Sequence, residues 1–178
     1  GLVTPGSSGL LLYADLLALQ LQQPGLVIRH RFAPDAEVQQ AVLDNSYQLG
    51  VLTFKPDDLR LAAEIIAEEP LELVYPAGSC ISSWQDLQNL GFINHPDGKA
   101  MATRLLSRHF PGNPGVATLP CQGYSNQVSL LLQPVALGLG FTIVPRYARQ
   151  AFAAQQQIAV LQCGQPVVDK LWAIYRSE

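Results

Sequence analysis

Val135-Ala-Leu-Gly-Leu-Gly-Phe-Thr-Ile-Val-Pro145 joins an apolar helical run to a short apolar strand. An apolar helical run ends at Gly138 and the chain turns through Gly140. Two residues without a Cβ permit that helix-to-strand reversal. Phe141 to Val144 is a short apolar β-type run, and Pro145 closes it because proline cannot donate to a ladder. Any α/β protein contains such a junction, so the order of the surrounding elements carries the class.

Downstream, the pattern predicts a helix over 146–154 and strands near 158–161 and 168–176. Upstream lies a helix over 124–137, kinked by Pro134. Before it come a strand over 116–121, a helix over 99–110, the turn His95-Pro96-Asp97-Gly98 and a strand over 91–94. Ser83-Trp84-Gln85-Asp86-Leu87 reads as a capped short helix. The middle of the chain is therefore one βαβαβ unit. The first third is another: strand 2–4, the turn Pro5-Gly6-Ser7-Ser8-Gly9, and a helix over 10–23 with a wide apolar face. A half-exposed strand over 26–32, a helix capped by Asp35 and a buried strand over 49–54 complete it. Strands alternating with helices call for parallel sheets with right-handed crossovers. Strands over 61–67 and 71–75, bounded by Glu68-Glu69-Pro70, lead from the first unit to the second. The fold class is α/β: two βαβ lobes in series, joined by two crossing strands.

Composition narrows the function. The 178 residues are 48% hydrophobic and 14% charged, which supports a sizeable core and argues against disorder. A net charge of −3 without a basic cluster leaves no electrostatic footprint for nucleic acid. There is no apolar run long enough for a membrane span, and no signal peptide is visible. Cys80, Cys121 and Cys163 are odd in number and widely spaced, so the expectation is reduced, mostly buried thiols in a cytoplasmic protein.

The ordered segments Gln23-Pro24-Gly25-Leu26-Val27-Ile28, Leu71-Glu72-Leu73-Val74-Tyr75-Pro76, Trp84-Gln85-Asp86-Leu87, V-x-x-G-x-G-x-x-x-x-P (135–145) and Leu171-Trp172-Ala173-Ile174-Tyr175-Arg176 carry a resemblance. Together they make the chain resemble the effector-binding domain of LysR-type transcriptional regulators. The resemblance implies a periplasmic-binding-protein-like (type II) architecture, with residues 1–76 and 163–178 as lobe I and 77–162 as lobe II. It implies a small-molecule effector in the interlobe cleft and a homodimer built from the 10–23 helix and the 26–32 strand region. DNA would be bound only through an N-terminal helix-turn-helix, which is missing from this chain, as is the family's last helix. Two departures stand out: Gln48 replaces the family's usual Asp, and Pro134 interrupts a helix that is normally continuous.

Candidate ligand residues cluster at strand ends, where α/β sheets bind ligands. Thr4, Pro5, Ser7 and Ser8 open a helix, and their hydroxyls and main-chain N–H groups suit a carboxylate or other anion. The same serines would serve equally as a cap for their own helix. Asn94 and His95 form the equivalent turn of the second lobe, with His95 either a donor to the ligand or a surface-turn histidine. Ser125 and Asn126 open another helix, as a plain cap or as cleft residues. Phe54 reads as an apolar wall or a core residue, and Thr142 as a group closing the pocket. No cofactor fingerprint, metal-ligand spacing or nucleophile elbow is present, and Asp57-Asp58 and Glu68-Glu69 read as solvated turns. A binding role is favoured over catalysis, with an exported solute-binding receptor of a transporter as the alternative.

Overall fold

Leu2, Val3 and Thr4 form β1 (Leu2–Thr4), and a computed structural model describes this strand with all the other residues from 1 to 178. The chain divides into two compact units, Gly1–Glu69 with Asp169–Glu178, and Pro70–Val168.

In the first unit β1 runs into α1 (Gly6–Gln22). Helix therefore begins where a turn was expected, at Gly6 rather than Leu10. Pro5 supplies the N-cap with extended φ and ψ, and its missing donor costs nothing at a helix start. Gly9 lies in the first turns of α1, and the position needs glycine because a Cβ there would collide with Thr4 Oγ1 and the Phe32 ring. The next strand is shorter than expected: β2 covers only His30–Phe32, and 26–29 lie outside any strand. α2 (Asp35–Leu43) is capped by Pro34, with Asp35 as its first helical residue rather than its cap. β3 (Leu49–Leu52) follows. β1 pairs in parallel with both β2 and β3, as the alternation requires. Val3, Val38, Val42, Leu52 and Ile174 are fully buried at the centre of this unit's core.

The two strands expected around Glu68-Glu69-Pro70 are a single one, β4 (Leu61–Pro76). Proline's fixed φ is compatible with extended backbone, and only its absent donor limits it there. β4 carries the chain from the first unit into the second, and β9 (Val168–Arg176) brings it back, pairing antiparallel with β3.

The second unit contains α3 (Trp84–Leu90), β5 (Phe92–Asn94), α4 (Gly98–His109), β6 (Cys121–Tyr124), α5 (Leu132–Ala136), β7 (Thr142–Pro145), α6 (Arg146–Gln150) and β8 (Ile158–Val160). The capping box expected at Ser83 and Asp86 forms, and the Ser82 and Ser83 main-chain N–H groups hold the Asp86 carboxyl below its ordinary range. β5 and β6 are parallel, while β7 and β8 flank β4 antiparallel. Three expectations fail here. Residues 116–118 form a 3-10 turn, so the strand starts five residues later, at Cys121. The long helix over 124–137 is reduced to a 3-10 turn at Val128–Leu130 and the five-residue α5, which takes Pro134 in its first turn where no donor is needed. α6 ends at Gln150, four residues early.

The decisive stretch is a helix-to-strand junction, but its two glycines serve different ends. Gly138 adopts φ +82 with open space around it. Gly140 is needed for close approach: a Cβ there would stand 2.8 Å from the Gly91 carbonyl oxygen.

Candidate functional site

The polar end of β1 in the first unit is closed in on itself. Thr4 is fully buried, and its Oγ1 lies 2.8 Å from His30 Nε2. The His30 ring stacks between Tyr13 and Phe32, with centroids 5.8 and 4.5 Å away, and its Nδ1 has no hydrogen-bond partner. Burial pushes the His30 pKa down, which favours a neutral ring. Ser7 and Ser8 are both buried. Ser7 Oγ donates to Glu69 Oε2 at 2.8 Å, and Ser8 Oγ donates to the Pro5 carbonyl at 3.4 Å. Glu69 is only 2% exposed, so it is no solvated turn residue. Its carboxylate accepts a hydroxyl from the first turn of α1, the end where a helix favours negative charge. Pro5 is the cap of α1, and Phe54, just beyond β3, is exposed rather than part of the core.

In the second unit β5 and β6 end side by side. The Asn94 carbonyl accepts the Ser125 N–H at 3.1 Å, and Asn94 Oδ1 accepts the His95 N–H at 2.9 Å. Ser125 Oγ accepts the Gln127 N–H at 3.0 Å in a local turn, not at a helix start. Asn126 is exposed beside it. His95 is buried rather than on the surface of its turn, and its Nε2–H donates to the Ile143 carbonyl at 2.7 Å. Desolvation lowers its pKa, opposed by that hydrogen bond and by Asp97. Thr142 is fully buried and donates to the Ile93 carbonyl at 2.8 Å, fastening β7 to β5. Of the candidates in this unit, Asn94, Ser125 and Asn126 keep polar surface for a ligand.

Sequence reasoning missed the buried carboxylates. Glu72 on β4 is held bidentately by Arg149, at 2.9 and 3.1 Å, with Arg146 at 3.5 Å. Strand periodicity carried across Pro70 would have found Glu69: residues 69, 71 and 73 share one face, and Leu71 and Leu73 are core. The three cysteines are unpaired, and Cys80 and Cys121 are exposed rather than buried. No helix is long and apolar enough to cross a membrane, and no group of three His, Cys, Asp or Glu side chains is arranged to hold a metal.

This topology is that of the periplasmic-binding-protein-like type II fold. The regulatory domain of Synechocystis PCC6803 CcmR in complex with 2-PG is similar over 99% of this chain and 86% of its own, with TM-score 0.76 and 13% identity. The reduced regulatory domain of Vibrio vulnificus OxyR2 matches over 98% of this chain and 84% of its own, with TM-score 0.75 and 16% identity. Full-length Pseudomonas aeruginosa OxyR C199D matches over 98% of this chain but 60% of its own length, with TM-score 0.76 and 13% identity. No curated protein sequence matches the chain. The sequence profile of the LysR substrate binding domain matches residues 2–178, and the chain belongs to that family. The family is one of regulatory domains of transcriptional regulators, not of enzymes.

Proposed function

We propose that this chain is the non-catalytic, cytoplasmic sensing domain of a LysR-type transcriptional regulator, which binds a small anionic effector and thereby modulates DNA binding by a helix-turn-helix outside it. The observation that carries this reading is the family match over residues 2–178. The 2-PG complex of CcmR's regulatory domain supports a small-molecule effector. The lobes are residues 1–76 with 163–178, and 77–162.

The closed arrangement at Ser7 shifts the expected contacts. An anion reaching the α1 terminus meets the Glu69 carboxylate, which already takes the Ser7 hydroxyl. The donors left for an anion in the first unit are therefore the main-chain N–H groups there; in the second unit, taken by itself, they are the polar surface of Asn94, Ser125 and Asn126. Thr4, Ser7, Ser8, His95 and Thr142 shape the strand ends without offering free hydroxyl or ring donors, Pro5 sets the helix start, and Phe54 supplies an apolar wall.

The proposed homodimer uses α1 and the 26–32 region. Tyr13, Leu17 and Leu21, four residues apart along one stripe of α1, are exposed, as are Val27 and Phe32. A contiguous exposed apolar face of this kind marks an interaction site. The effector is tested by calorimetric titration of the chain with small carboxylates and phosphate esters, 2-PG included, and with small amines. Saturable binding weakened by Asn94→Ala and Asn126→Ala supports the reading, and saturable binding only of cationic compounds contradicts the anionic assignment.

A further inference from the structure

We propose that the second unit carries a separate site for a compact organic monoanion with an apolar body, in a cavity of about 200 Å³ lined by Phe92, Asn94, Lys99, Val116, Leu119 and Cys121. Phe92 and Asn94, two apart on β5, face the same side of their strand. α4 brings Lys99 to that side, the 3-10 turn at Val116–Thr118 brings Val116, and β6 starts there with Cys121. Phe92, Val116 and Leu119 give a floor of buried apolar side chains.

The polar groups around this floor are donors. Lys99 is exposed and takes part in none of the chain's salt bridges. Asn94 Oδ1 accepts the His95 N–H, which leaves the Nδ2 amide as this side chain's donor. The Cys121 thiol is directed at the Gly123 carbonyl, 3.5 Å away. An ammonium and an amide N–H beside an apolar floor select a carboxylate at one end and hydrocarbon at the other. The volume equals that of about six or seven waters, which limits the occupant to a small molecule. The cavity lies wholly within the second unit and shares only Asn94 with the proposed effector contacts, so it stands or falls independently of the regulator reading.

Cys121 makes the site readable. The 178-residue chain is treated with iodoacetamide and alkylation is followed separately at Cys121 and at Cys80, which is exposed outside the cavity and serves as the control. The probes are 4-methylvalerate and its neutral amide. For so small a ligand a Kd on the order of 1 mM is expected. At about four times Kd the carboxylate slows Cys121 about fivefold and leaves Cys80 unchanged. The amide needs roughly two- to fivefold more for the same protection, and Lys99→Met removes that difference. Ala117→Phe, at an exposed position on the rim, fills the cavity and abolishes protection. Equal alkylation of Cys121 with and without carboxylate overturns the site. Equal protection by acid and amide overturns its anionic selectivity. Calorimetric binding that persists in Ala117→Phe belongs to the effector contacts, which share only Asn94 with this cavity.

Discussion

Replacing Gly140 with alanine should destabilise the second unit through a single backbone collision. The added Cβ would stand 2.8 Å from the Gly91 carbonyl oxygen and 3.1 Å from Cδ1 and Cγ1 of Ile93. The Ile93 side chain can move; the carbonyl cannot retreat freely. It accepts the Phe141 N–H at 2.9 Å, while the Ile93 N–H donates to the Phe141 carbonyl at 2.8 Å, and these bonds tie β5 to the start of β7. Overpacking of this kind costs about 1–3 kcal/mol. Gly140→Val, with two more carbons, belongs at or above the upper end. Gly138 is the control, because its demand is conformational: φ is +82 and nothing lies within 4 Å of a Cβ. Gly138→Ala should cost about 1–2 kcal/mol and Gly138→Asn less, since asparagine tolerates the left-handed region. The assay is urea unfolding followed by the fluorescence of Trp84, which lies in the second unit, in a Trp172→Phe background, with melting shifts of about 2–4 °C per kcal/mol as a check. A loss below about 0.5 kcal/mol for Gly140→Ala, with a normal m-value, refutes the close-approach argument.

Glu72→Ala should cost about 3 kcal/mol in urea unfolding, the low end for breaking a buried pair, because Arg149 and Arg146 keep some solvent. A value under 1 kcal/mol there would mean that the arginines find water instead. Ser7→Ala removes a donor from the buried Glu69 carboxylate and should cost about 1–3 kcal/mol, so its first effect is on stability; an unchanged urea midpoint argues against that hydrogen bond. His95 titrates below its ordinary 6.5 in the folded chain, so folding favours its neutral form. Stability is then full above pH 6.5 and falls as the pH drops from there through the folded pKa, by at most about 1.4 kcal/mol per pH unit. His30 has the same sign but contributes less, being closer to solvent. His95→Gln should flatten the stability curve just below pH 6.5, and an unaltered slope there would assign the acid sensitivity to other groups.

Periodicity and punctuation made the topology readable. β1, α2 and β3 follow from alternating apolar runs, and the parallel pairing of β1 with β2 and β3 follows from the crossover rule. The V-x-x-G-x-G-x-x-x-x-P stretch marked the junction but not the division of labour between its glycines, because a φ value and the distant Gly91 carbonyl leave the same letter in the sequence. Proline misled twice. Pro70 was read as a break although extended backbone accommodates its φ, and Pro134 as a kink in a long helix although it sits in the first turn of a short one. The candidate hydroxyls at Thr4, Ser7 and Thr142 were read from their places beside a strand, but which way a hydroxyl points depends on tertiary partners. Glu69, His30 and Ile93 supply those partners from distant positions. Local pattern carries no record of them.

Sedimentation velocity of this chain across a concentration series, alongside Leu21→Glu, tests the regulator reading most directly. Leu21 is 87% exposed on α1, so a charge there leaves the fold of one chain untouched while burying an unpaired carboxylate in the proposed dimer. The unaltered chain is expected to be a dimer, and Leu21→Glu a monomer of unchanged unfolding midpoint. A chain that stays monomeric at every concentration would contradict the regulator reading and favour a solute-binding receptor.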